Sequence, residues 1–144
     1  KSYDPSDAQI AHHLASFIGD VRGLSSDAVV VRDNWLRAYD YVTDKAATTL
    51  NEYASANDPF ADIGRKSRTV DVVSVVRISD GSFQARWIEK TFENGALTKA
   101  KRYTGLFSII SQTPTDAERL RANPLGIYVH ELHWGEDLVT GDSN

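Results

Sequence analysis

The sequence predicts an α+β fold in which helices from the first part of the chain cover an antiparallel sheet built by the rest. Three observations carry this. Apolar residues before position 57 recur at helical spacing, residues 67–112 read as three strands separated by tight-turn dipeptides, and residues 127–134 alternate as a fourth strand. Turns that short leave no room for crossover helices, so the first three strands form a meander.

The first helix starts at Ser6-Asp7-Ala8-Gln9, a capping box with a hydroxyl at the N-cap and an amide three residues on. Ile10, Leu14, Phe17, Ile18 and Val21 follow as a narrow stripe, and Gly23 supplies a stop. Such a stripe suits a helix lying on a sheet or on another subunit, which makes Leu14 and Phe17 candidate partner-contact residues. Ser26-Asp27 caps a second helical region, with Val31, Trp35, Ala38, Tyr39, Val42, Ala46, Leu50 and Tyr53 at 3–4 spacing. Thr and Asp are weak helix formers, so Val42-Thr43-Asp44 can divide it, with Asp44 as the new cap. Asn57-Asp58-Pro59 reads as a further cap with Pro at the first helical position, closed by Gly64.

The run from Ser67 to Ile78 is dense in β-branched residues, Asp80-Gly81 turns it, and Ser82–Phe92 returns. Asn94-Gly95 marks the next hairpin, and Arg102–Ile110 is the third strand. Strict alternation places Val70, Val72, Val76 and Ile78 on one face, with Phe83, Ala85 and Trp87 and then Tyr103, Phe107 and Ile109. Val73, Val75, Ile88, Phe92, Leu106 and Ile110 fall on the other. Neither face is purely polar, so one packs on helices and the other is partly covered. Thr113-Pro114-Thr115 breaks the strand, Asp116–Arg121 forms a helical turn, and Asn123-Pro124-Leu125-Gly126 turns into Ile127–Trp134. Beyond Asp137 the polar end is expected to fray.

At 144 residues, with 41% hydrophobic and 25% charged side chains, the chain is of ordinary globular composition and long enough for one domain with a real core. A net charge of −4 argues against a general nucleic-acid or anionic-membrane binder. Absence of cysteine excludes disulfides, thiolate-held zinc and thiol nucleophiles. Absence of methionine, including at position 1, leads us to expect a longer protein whose signal or anchor lies outside this sequence.

Little of the remaining pattern carries catalytic chemistry. His130-Glu131-Leu132-His133 has the wrong spacing for a helical zinc pair and falls in a strand, while His12 and His13 point about 100° apart on a helix. No phosphate loop or nucleophile elbow is present. Glu89 and Asp71 are the carboxylates centred in strands. Either could be a pocket acid, but the simpler reading is a solvent-side charge paired with Arg86 or Lys90. No metal, cofactor or catalytic residue is therefore expected. The three Trp, six Tyr and five Phe read mostly as core.

Several phrases share a family resemblance: the run from Val29 to Asp44, then Thr49-Leu50-Asn51-Glu52-Tyr53, Asn57-Asp58-Pro59-Phe60, and Asn123-Pro124-Leu125-Gly126-Ile127-Tyr128-Val129. Together they resemble the conjugal transfer TrbF family, relatives of the eighth VirB component of type IV secretion systems. The resemblance implies a curved antiparallel sheet wrapped by helices, a cone like nuclear transport factor two. It also implies a single-pass bacterial inner-membrane protein with this domain in the periplasm. The role it implies is a non-enzymatic assembly factor that contacts other channel components and dimerises weakly, without direct contact to nucleic acid. The family's Asn-Pro-x-Gly motif maps onto Asn123, Pro124 and Gly126, with Leu125 between them, either as a partner contact or as a turn that sets the last strand. The rival reading is a small-ligand binder or an isomerase-like or dehydratase-like enzyme using a pocket in the cone. Glu89 and Asp71 discriminate: an acid in a roomy pocket favours the enzyme, an ion-paired or solvated one the assembly factor.

Overall fold

The computed structural model describes residues 4–138 of the chain. Three helices, α1 (Asp7–Arg22), α2 (Ala28–Tyr39) and α3 (Asp44–Ala56), precede β1 (Lys66–Ser79), β2 (Ser82–Glu93) and β3 (Ala96–Ser111). The short α4 (Ala117–Ala122) and β4 (Ile127–Glu136) complete an α+β fold. The strands form one antiparallel sheet in the order β1-β2-β3-β4, with the helices on one face. The predicted fold class is thus met; the tail expected to fray lies, from residue 139 on, outside the described residues.

Local chemistry sets the helix ends. Ser6 Oγ accepts the Gln9 N–H at 3.1 Å and Gln9 Oε1 accepts the Ser6 N–H at 2.8 Å, closing the capping box of α1. Between α2 and α3 the cap is Thr43, not Asp44: its side chain accepts from Ala46 N, and Asp44 becomes the acid of the first turn. Asn57 ends α3 instead of starting a helix, and residues 58–64 are turns, with the Asp58 carboxylate bonding Phe60 N.

Leu14 and Phe17 are fully buried against the sheet, beside Ile18, Val21, Trp87 and Phe107. Full burial of such side chains stabilises by roughly 1.5–3 kcal/mol each. This corrects the expectation of a partner contact there: the surface that α1 covers with these two residues is the chain's own sheet.

A bulge changes the faces of β1. Val72 sits opposite Trp87 and Ser74 opposite Arg86, so Val73 is an extra residue and the alternation flips after it. Val75 turns inward opposite Ala85, whereas Val76 turns outward opposite Gln84 and Ile78 is likewise exposed. The predicted grouping of Val76 and Ile78 with Val70 and Val72 fails for that reason. Short segments cover part of both sheet edges. Leu24 bridges to Arg68 on β1, and Tyr41–Thr43 pair with Val129 on β4 through Val129 N to Tyr41 O (2.8 Å) and Thr43 N to Val129 O (2.9 Å).

Candidate functional site

The helix-covered face narrows into two polar places in an otherwise apolar core. The first is a buried ion pair at the end of α1. Arg22 lies one turn beyond Ile18 on the buried side of the helix, and Glu89 lies two residues beyond Trp87 on the inward face of β2. The guanidinium grips the carboxylate with two bonds, Nε to Oε2 at 2.6 Å and Nη2 to Oε1 at 2.8 Å. Trp87 Nε1 donates to Oε2 at 2.8 Å. Tyr103, Trp134 and Tyr53 present their rings to Arg22 at 4.5, 5.2 and 5.5 Å. Burial pulls the Arg22 pKa down, but the bond to Glu89 and the neighbouring tyrosines outweigh it and hold the group above its ordinary value.

Beside this pair opens a cavity of about 340 Å³, lined among others by Lys66, Arg68, Lys99 and Lys101. Its charge is lopsided, because among the described residues Glu89 is the only acid that lines it and Arg22 already pairs with it. Arg68 Nε donates to the Arg22 carbonyl at 2.6 Å, Lys101 pairs with Glu136 at the surface, and Lys99 has no ion pair among the described residues. The predicted Glu89 partner is therefore corrected. Glu89 is buried and held by Arg22, not solvent-side on Arg86 or Lys90. Asp71 stands opposite Ile88, exposed.

The second place is the Asn123 turn. Asn123 is buried, and its Nδ2 donates to the Ile127 carbonyl at 2.9 Å and the Asp40 carbonyl at 3.3 Å, joining α4, the end of α2 and β4. Gly126 takes φ +64°, and a Cβ there would lie 2.0 Å from the Gln112 carbonyl oxygen. Pro124 is exposed and Leu125 half-buried, so within the motif these two alone offer surface. His13 packs nearby, its ring 4.2 Å from that of Tyr41 and hydrogen-bonded to the Ile127 backbone, with Nε2 buried and unpartnered. Desolvation lowers its pKa from 6.5 to about 4, partly opposed by the Ile127 bond.

Sequence reasoning placed Glu89 among its candidates and set His13 aside with His12 as unable to form a helical metal pair, and it missed Arg22. A signal existed for both His13 and Arg22, since each is a polar residue next to or in line with the α1 stripe. His130 Nδ1 instead meets Thr43 Oγ1 at 2.9 Å, and His133 lies on the far face opposite Leu106.

The family model for VirB8 protein matches residues 1–137. The conjugal transfer protein TrbF of Rhizobium radiobacter is 28% identical over 128 residues, covering 87% of this chain; the chain spans 58% of that relative's length. The solved structure of Agrobacterium tumefaciens VirB8 superposes with a TM-score of 0.78 at 12% identity, covering 97% of this chain and all (100%) of that one. TraE, solved in complex with 4-(1H-pyrrol-1-yl)pyridine-2-carboxylic acid, superposes with a TM-score of 0.76 at 14% identity, covering 95% of this chain and 100% of its own.

Proposed function

From the premise that the chain belongs to the VirB8 protein family of type IV secretion components, we propose that it is a non-enzymatic assembly component of a conjugative apparatus. It works in the periplasm through protein–protein contacts, held at the inner membrane by a single-pass anchor. The family match over residues 1–137 carries this reading, and the TrbF relative points to conjugation. None of the described helices is long and apolar enough to cross a membrane. The Glu89 geometry favours assembly over catalysis. Two donors from Arg22 and one from Trp87 occupy its carboxylate, which serves as a fixed counter-ion in the core.

The test is genetic. Deleting the gene from a conjugative donor should abolish plasmid transfer, and the gene in trans should restore it, with an alkaline phosphatase fusion active in the periplasm. Transfer at the undiminished rate would overturn the assembly role, and an inactive fusion would overturn the location.

The basic cavity favours a second reading as a small-anion site, since Lys66, Arg68, Lys99 and Lys101 face aromatic walls from Tyr53, Tyr103 and Trp134. The pyridine carboxylic acid bound by TraE has that chemistry. Calorimetric titration with such an acid should give binding that Lys99→Ala weakens; equal heats for both proteins would remove this reading.

A further inference from the structure

Between α2, α3 and the turn that follows α3 lies an aromatic hollow that neither the ion pair nor the Asn123 turn uses. It measures about 410 Å³. Trp35 is its buried member, Tyr39 and Pro59 are half-buried beside it, and Phe60 is 46% exposed at the rim. Bonds within the chain hold these walls. Tyr39 Oη donates to Asn51 Oδ1, joining α2 to α3, and the Trp35 ring lies 6.2 Å from that of Tyr53, nearly parallel to it. The Asp58 carboxylate accepts the Phe60 N–H at 2.9 Å. The hollow is therefore built before any ligand arrives.

Two of its polar groups are unspent. Among the described residues Asp58 is the only charged side chain that lines the hollow, and it enters no ion pair. Trp35 Nε1 is buried and donates to no group among those residues. A buried donor without an acceptor is unfavourable, and a ligand that brings a carbonyl between the rings removes that cost.

Main-chain bonding narrows the ligand further. The N–H and C=O groups of α2 and α3 are consumed within the helices, and the turn spends its own: Phe60 N on the Asp58 carboxylate and Ala61 N on the Asp58 carbonyl at 3.2 Å. No ladder is on offer, so a β-strand laid here would bury its N–H groups without partners. Proline has no N–H to leave unpaired, and in polyproline II the carbonyls stay free as acceptors. Three residues per turn return its rings to one side, where aromatic faces receive them. An Arg or Lys next to the prolines answers Asp58.

We propose that this hollow docks a proline-rich segment of a partner protein in polyproline II conformation, with a cationic residue on Asp58 and a carbonyl on the Trp35 indole N–H. A hollow of this size takes a few residues, so the contact is weak alone and gains strength where a second contact holds the same partner. The inference deepens the assembly reading and rests on it for the existence of such a partner. Peptide binding is read on this chain and plasmid transfer in the donor cell, so the failure of one is distinguishable from the failure of the other.

Nitrogen-15 NMR tests it, because the indole N–H signal of Trp35 is separable from those of Trp87 and Trp134. The probe is a capped peptide of arginine followed by a run of prolines, with a glycine-serine peptide of equal length and charge as control. The Trp35 signal should move downfield and saturate with the proline peptide, the Asn51 and Phe60 amides should move with it, and the control should move none of them. Phe60→Ala, at the exposed rim, should weaken binding about tenfold. Asp58→Asn, which keeps an acceptor for the Phe60 N–H, should weaken the arginine peptide about threefold and leave an all-proline peptide unchanged. The absence of a saturable Trp35 shift up to about 1 mM peptide overturns the proposal. So does an equal response to the control, or a Phe60→Ala chain that binds like the native one. Equal affinity of the native and Asp58→Asn chains for the arginine peptide overturns the pairing with Asp58.

Discussion

His13 makes the stability of the fold depend on pH in a window where few other groups titrate. Its pKa falls from 6.5 in the unfolded chain to about 4 in the fold. The folded state therefore binds fewer protons than the unfolded one between these values, and stability must fall with acid there. The contribution is complete above the unfolded pKa and is lost as pH drops toward 4. A shift from 6.5 to about 4, at about 1.4 kcal/mol per unit, sets an upper limit of roughly 3.5 kcal/mol. The cause is visible in the packing: the ring lies against Tyr41, its Nε2 is sealed off without a partner, and a second proton would be placed there in an apolar wall. His12, the neighbouring charge, only deepens the effect.

The assay is urea unfolding of the native chain and of His13→Phe at a series of pH values across that window. The phenyl ring keeps the contact with Tyr41 and removes both the titration and the orphaned nitrogen. The native-minus-variant difference should slope by up to about 1.4 kcal/mol per pH unit and flatten above 6.5. Carboxylates that titrate near 4 cancel in that difference. Parallel pH profiles for the two proteins would refute the reasoning, because His13 would then charge in the fold as freely as in the open chain.

Three further outcomes follow from the same geometry. Glu89→Leu should cost about 3–5 kcal/mol in denaturant unfolding by leaving the Arg22 guanidinium buried without its anion, and adding Arg22→Met should recover most of it; a double variant no better than the single would show the pair contributes through packing alone. Gly126→Ala should lower stability by more than about 1–3 kcal/mol, since it combines a strained φ with a Cβ on the Gln112 carbonyl, while Pro124→Ala at the exposed corner should stay within about 1 kcal/mol; equal melting temperatures for the two would undo that account. Leu14→Arg should yield an unfolded chain by circular dichroism, not a folded monomer, because a cation would replace a side chain with no exposure.

What was legible in the sequence follows from how local each signal is. The Ser6 box, the Asn94-Gly95 hairpin and the α1 stripe depend on residues within a few positions of one another, and each appears where the pattern placed it. The division of the long second helical region was legible too, but its cap was not. Thr43 and Asp44 are both good cap residues, and Thr43 wins because its backbone is already tied to Val129 on β4, 86 positions away. The β1 faces failed for a similar reason. A bulge adds one residue to one strand, leaves no mark in an alternation of Val with Val, and inverts everything downstream of it.

The candidate site shows where a sequence argument could have gone one step further. Period two places Glu89 on the face of Phe83, Ala85 and Trp87, and helical period places Arg22 in line with Leu14 and Ile18. Each is a charge on a face otherwise committed to the core, and a buried charge requires a partner of opposite sign. Two such anomalies of opposite sign, on the two elements expected to pack together, already specify the pair and the α1-on-β2 contact that brings it together. Treating Glu89 alone led to the opposite assignment, a solvent-side charge on its own strand neighbours.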